Sequence, residues 1–207
     1  MPPRFITLEG IDGAGKSSHL DFIRQWLAER GIETVFTREP GGTDLAEKLR
    51  ALLLAPDTDV SLETETLLLF AARQDHIQRV IRPALAAGRW VVSDRFTDAS
   101  FAYQGGGRGL AGERIAVLAD WVQQGLEPDL TLLFDVPTDV AQERMAATRS
   151  LDRFEREARD FHERVREAYL ARAAQYPRFC VLDSSRALEA VRADIAARLS
   201  GLLMEQR

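Results

Sequence analysis

Gly10, Gly15, Lys16 and Ser17 fall in the spacing G-x-x-x-x-G-K-S, inside the stretch FITLEGIDGAGKSSH at residues 5–19. No other feature restricts the fold so tightly. The flanks suit the pattern. Residues 4–9 alternate and are rich in β-formers, which predicts a strand. Leu20, Ile23, Trp26 and Leu27 recur at helical spacing over residues 16–30, and Gly31 stands where a C-cap belongs. A strand, a glycine-rich turn and a helix N-terminus together present several backbone N–H groups to one anion. Gly10, Ile11, Asp12, Gly13, Ala14, Gly15, Lys16, Ser17 and Ser18 therefore read as a cradle for a nucleotide polyphosphate. Lys16 is expected to reach the β- and γ-phosphates, and the Ser17 hydroxyl to ligate Mg²⁺. The loop alone does not say what becomes of the phosphate.

The rest of the chain alternates in the same way. Strands are predicted at residues 32–38, 90–93, 130–134 and 179–182. Helices are predicted at 44–54, from 61 to the Pro83–Gly88 region, in the segment between Arg95 and Gln104, at 112–124, from 138 to about 148, up to about 174, and at 188–203. Glu47 follows Asp44 at capping-box spacing, and Gly105-Gly106-Gly107 is expected to break the helix before it. Several strands are continuous apolar runs, as strands covered on both faces are. The fold class is α/β: a P-loop NTPase or kinase fold, with a mostly parallel five-stranded sheet and helices on both faces. No repeat or linker divides residues 1–207, so one domain is expected.

Composition narrows the partners. The net charge of −5 does not draw nucleic acid or an anionic membrane to the surface. No apolar run is long enough to span a membrane, and residues 1–5 lack a signal-peptide core, so a cytoplasmic protein is expected. The one cysteine, Cys180, lies in an apolar run and reads as a core thiol. His19, His76 and His162 all fall in predicted helices, and no Cys/His cluster has metal-ligand spacing.

In such sheets, ligands bind at the carboxyl ends of the strands. Those ends carry Glu9-Gly10, Arg38-Glu39, Asp94-Arg95, Asp135 and Asp183. Arg38, Arg73 and Arg95 gather there with Phe70 and Tyr103. Each has an ordinary structural explanation, as an ion-pair partner or a core ring. Taken together, beside the glycine loop, they favour a pocket for a phosphorylated acceptor.

At this point the chain resembles the thymidylate kinase family. The resemblance runs nearly end to end: FITLEGIDGAGKSS, REPGGT at 38–43, LLLFAARQDH at 67–76, DRF at 94–96, SFAYQGGGRG at 100–109 and DRFE at 152–155. It implies transfer of the γ-phosphoryl of ATP to dTMP, with Mg²⁺, giving dTDP and ADP in dTTP biosynthesis. It puts Asp12 near the acceptor's sugar and phosphate, and Arg38 and Arg95 on that phosphate. Phe70 would stack on thymine, Arg73 and Ser100 would meet the base, and Tyr103 and Gln104 would lie beside the sugar. Asp94 would serve the Mg²⁺ shell through water, with Glu9 a second candidate. Loop 183–186 would lie by the adenine. A short lid at about 148–157 would bring Arg149 and Arg153 to the transferring group, because the loop interior Ile11-Asp12-Gly13-Ala14 has no arginine. The catalytic set is then Lys16, Arg95, Arg153, Asp12 and Arg149. The family pairs as homodimers through long helices, here those at 62–81 and 112–124. A GTP-binding switch is disfavoured, since no Asn-Lys-x-Asp motif occurs.

Overall fold

The computed structural model describes residues 2–146, 152–155 and 157–204. Five short runs of β-formers make one sheet: β1 (Phe5–Glu9), β2 (Thr34–Arg38), β3 (Trp90–Asp94), β4 (Leu130–Asp135) and β5 (Phe179–Asp183). All neighbours are parallel, in the order β2-β3-β1-β4-β5. β1 is central, and all five of its residues are buried. Its partners come from far along the chain, with Phe5 opposite Val91 and Ile6 opposite Leu130.

The helices are α1 (Lys16–Ala28), α2 (Asp44–Leu54), α3 (Leu62–His76), α4 (Arg82–Ala86), α5 (Thr97–Ser100), α6 (Gly112–Gln123), α7 (Thr138–Ala146), α8 (Arg159–Gln175) and α9 (Leu188–Met204). Two apolar clusters cover the two faces of the sheet. Ile23 and Leu27 of α1 pack with Val165 of α8 and Ile195 and Leu199 of α9. Phe70 of α3 and Ile115 and Val122 of α6 pack with Phe5, Val91 and Phe96. This is the expected α/β architecture, with a sheet that is parallel throughout. Among the described residues, no helix is long and apolar enough to cross a membrane.

Local expectations differ in three places. Thr43, not Asp44, is the N-cap of α2, and its hydroxyl accepts from Ala46 N at 3.1 Å. Glu47 thus falls one residue outside a capping box. It accepts instead from Gly42 N at 2.9 Å and pairs with Arg38. Pro83 does not stop its helix. A wider π turn at Ile77–Ile81 joins α3 to α4, and Pro83, which has no N–H to donate, is the second residue of α4, just past that turn.

The glycine triplet is also no break. α5 continues as a π segment through Phe101–Gly107. A Cβ on Gly106 would lie 2.4 Å from the Ala168 Cβ, and one on Gly107 would lie 2.4 Å from the Phe161 ring. Absent side chains let this segment press against α8, and Arg164 Nη2 fixes the contact by donating to Gly107 O at 2.8 Å.

Candidate active site

A cleft of about 880 Å³ opens at the carboxyl ends of the strands. Its first wall is the loop between β1 and α1. Gly13 has a φ of 79°, and a Cβ there would lie 2.3 Å from Ala141 O, so only glycine fits. Lys16 Nζ donates to Gly10 O at 2.8 Å and Ile11 O at 3.0 Å, spanning the loop. Burial pulls its pKa down and Arg95 adds to this, while Asp12, Asp94 and Glu9 oppose them. Ser184, just past β5, donates its hydroxyl to Ala14 O at 2.5 Å and so ties the loop to the far edge of the sheet. Ser17 and Ser18 border the cleft at the start of α1.

Asp12 joins this wall to the second one. Its Oδ1 accepts from Arg95 Nη2 at 2.5 Å, and its Oδ2 accepts from the Tyr103 hydroxyl at 2.8 Å. Burial alone would raise its pKa, but Arg95 and then Lys16 outweigh that and hold it well below the usual range. Arg95 has a φ of 71°, a strained backbone for a residue with a Cβ. Its N–H donates to Leu8 O, and its carbonyl accepts from Ser93 Oγ at 2.8 Å. Its guanidinium also lies 4.5 Å from the centre of the Tyr103 ring.

Glu9 stands behind Arg95 rather than in the cleft. It is fully buried, with Oε1 accepting from Phe96 N and Oε2 from the Tyr169 hydroxyl, both at 2.7 Å. Burial, with Asp98 nearby, pushes its pKa up to about 8. That environment braces the Arg95–Phe96 turn, and both carboxylate oxygens are already engaged.

The second wall carries the expected acceptor residues. Arg73 donates through Nε to Glu39 at 2.7 Å and through Nη2 to Phe96 O and Ser100 Oγ, both at 3.1 Å. Its Nη1 is buried without a protein hydrogen bond. Glu39 is fixed from its other side by His76 at 2.9 Å. Tyr103, Gln104, Ser100 and Arg38 all border the cleft. Arg38 is half-exposed and pairs with Glu47 at 2.9 Å.

Two of the expected residues are not among those lining the cleft. Phe70 does not border the cleft. It is 2% exposed and packs with Phe5 and Phe96 on the sheet. Leu69, one residue earlier on α3, borders the cleft instead. One residue turns a helix by about 100°, which is enough to move a side chain from pocket to core. Arg153 is also not in the cleft. Its guanidinium pairs with Glu65 and its Nε donates to Leu53 O at 2.9 Å. Arg149, like half of the predicted lid, lies outside the described residues.

Sequence reasoning also missed cleft residues. Arg50 borders it and donates Nη1 to Pro40 O at 2.9 Å. Burial depresses its pKa, and Arg38 and Arg95 add to this, which marks a concentration of positive charge. Arg144 borders it from α7 and donates to Ser184 O at 3.0 Å. Both lie on helices whose charge patterns look like ordinary solvated faces.

A polyphosphate cradle faces a basic, partly apolar pocket across one shared carboxylate. Together with the parallel sheet, this defines a P-loop phosphotransferase that acts on a small phosphorylated acceptor. Comparison with known proteins gives the particular family. The family model described as thymidylate kinase matches residues 8–195. Relatives named thymidylate kinase include those of Chromobacterium violaceum, 66% identical over 97% of this chain and 95% of its own length. That of Thiobacillus denitrificans is 59% identical over 98% of each chain. That of Neisseria meningitidis serogroup B is 57% identical over 97% of this chain and 98% of its own. The chain belongs to the thymidylate kinase family.

Proposed function

We propose that the two walls of the cleft hold the donor and acceptor of a single in-line phosphoryl transfer. The chain carries its family's activity: it moves the γ-phosphoryl of ATP to dTMP, giving dTDP and ADP for dTTP synthesis. One observation carries the assignment of roles. Arg95 of the acceptor wall donates to Asp12 of the donor loop at 2.5 Å, and Lys16 also lowers the pKa of that partly buried carboxylate. The two substrates are thereby set against each other at a fixed distance. Such transfer needs positioning and charge neutralisation more than proton chemistry. The acceptor phosphate is already ionised at neutral pH, so no strong base is required.

In this reading the loop at residues 10–18 holds the ATP phosphates. Arg38 and Arg95 hold the acceptor phosphate. Arg73, with its spare Nη1, and Ser100 meet the edge of thymine, while Leu69 supplies the apolar face first assigned to Phe70. Tyr103 and Gln104 line the sugar. Tyr103 stays a phenol, because burial raises its pKa although Arg95 opposes that. The lid cation is Arg149, by sequence pattern. Residues 1–207 act as one kinase domain, in the cytoplasm.

Mg²⁺ fits the donor set. Asp94 Oδ1 is buried without a hydrogen-bond partner, and Ser17 borders the same cleft. Among the described residues, no group of three or more His, Cys, Asp or Glu could cage a metal. Mg²⁺ typically binds through one or two protein oxygens, waters and substrate phosphates. When bound it would neutralise charge on the ATP phosphates, with Ser17 and Asp94 holding it.

A coupled ADP-release assay tests the substrate assignment, with ATP, Mg²⁺ and a panel of dTMP, dUMP, dCMP, dGMP, AMP and thymidine. Turnover with dTMP, and at most weakly with dUMP, is the expected result. Preferred turnover of thymidine would reassign the acceptor wall to a nucleoside.

The chain is also proposed to pair with a second copy. Leu67 of α3 and Val117 and Trp121 of α6 are 55%, 68% and 73% exposed. The two helices are bridged there by Arg114 and Glu63 at 3.0 Å. Single large apolar residues at a surface are ordinary, but three on adjoining helices make a patch. Light scattering should give twice the 23.2 kDa chain mass. A Trp121→Glu variant should shift toward the single-chain mass, and monomeric parent protein would refute the pairing.

A further inference from the structure

Glu65 lies in the first turn of α3 and is 1% exposed. Two hydrogen-bond donors and one further cation, from two other segments, converge on its carboxylate. Gln104 Nε2 donates to Oε1 at 2.8 Å, Arg108 Nε lies 3.4 Å from the same oxygen, and the Arg153 guanidinium pairs with Oε2. Each arginine has a second anchor. Arg153 donates its backbone N–H to Leu54 O at 3.3 Å and its Nε to Leu53 O at 2.9 Å. Arg108 Nη2 donates to Glu157 at 2.8 Å.

The ends of this network decide what it does. Gln104 and Leu54 border the cleft on its acceptor side. Arg153 and Glu157 flank the segment that leads into α8. One buried carboxylate therefore spans the acceptor wall and the root of the lid. An isolated buried carboxylate is costly, and breaking such a network leaves uncompensated charge. Two guanidiniums and an amide offset that cost only in a single arrangement, which makes the network a geometric constraint. Among the described residues, none of the hydrogen bonds and ion pairs just named reaches the P-loop.

We propose that Glu65 is a positioning residue that fixes the lid root in register with the acceptor pocket, holding Arg153 as a strut. The proposal rests on the acceptor-side reading of the cleft. It adds that Arg153 serves turnover by staying on Glu65 rather than by entering the cleft.

The test uses full-length Glu65→Gln and Arg153→Lys, alone and combined. Steady-state kinetics with ATP and dTMP are run beside thermal melting. Misplacement by about 1 Å costs about 10²-fold in turnover. Each single variant should lose about 10–100-fold in kcat, with the KM for ATP unchanged within about twofold. The double variant should be no slower than the worse single, because both break one strut. Three outcomes would overturn the proposal. Glu65→Gln turning over as fast as the parent, or faster, would mean that Glu65 restrains or ignores a mobile Arg153. Additive losses would mean separate roles. Loss of kcat that disappears when each protein is assayed well below its own melting point would mean a purely structural network. If Glu65→Gln does not fold, Arg153→Lys decides by the same kcat and KM criteria. A parent enzyme inactive on dTMP would refute the acceptor reading itself, before any variant is compared.

Discussion

Replacing Lys16 with methionine should lower kcat by about 10²–10³-fold while leaving the fold intact. The side chain is 8% exposed, and its Nζ makes two hydrogen bonds to carbonyls of its own loop. Methionine keeps an unbranched stem of similar length, so packing is largely conserved. The cation alone is removed. Burial and Arg95 both disfavour that charge, while Asp12, Asp94 and Glu9 favour it. Its removal therefore has opposing effects on stability but a single effect on catalysis. Charge accumulates on the transferring phosphoryl oxygens, and a preorganised cation beside them is worth more in a water-poor cleft than in solution. Urea unfolding and ADP release measured on one preparation separate the two effects. A variant with parental kcat would show that the loop's N–H groups suffice without the ammonium.

Arg95→Met should have the second-largest effect, on binding, turnover and stability together. Hydrogen bonds to charged groups are worth about 1.5–3 kcal/mol, so dTMP affinity should fall about 10–100-fold. Asp12 would be left with Tyr103 and Lys16. The native Asp12 has a depressed pKa, because Arg95 and Lys16 outweigh burial. A carboxylate depressed on folding adds stability that is present above its unfolded pKa of about 3.8 and is lost as pH falls below it. Without Arg95 that contribution shrinks. The urea midpoint of the variant should lie well below the parent's at pH 7, and the gap should narrow as pH approaches 3. Isothermal titration with dTMP reads the affinity. Equal midpoints at pH 7 would mean that the Asp12–Arg95 pair contributes nothing net.

The alternating pattern made the architecture legible. Apolar runs and glycine punctuation specified five strands in the right places. The donor loop was legible for the same reason, since its chemistry is local: neighbours in sequence are neighbours in space. The acceptor wall was read less well. Phe70 is aromatic and Leu69 is not, yet helix rotation, not side-chain type, decides which one faces the cleft. Glu65 sits among Glu63, Thr64 and Thr66 and looks like part of a solvated face, and only the tertiary approach of Arg108 and Arg153 makes it a buried hub. Gly105, Gly106 and Gly107 carry the same ambiguity. Three glycines end most helices, but here their missing side chains admit a neighbouring helix.

The strand order has a consequence for how the chain is made. The glycine loop follows β1, the first strand of this sheet to be made, yet β1 is flanked by β3 and β4, and the loop's Ala14 carbonyl is held by Ser184. A nascent chain stalled before β4 emerges has the complete phosphate-binding motif and only one side of the sheet to hold it. Nucleotide retention by ribosome-bound fragments should therefore rise late, once β4 and β5 have both emerged. Until then the most recognisable stretch of the sequence is an exposed apolar strand, in need of protection by chaperones rather than by substrate.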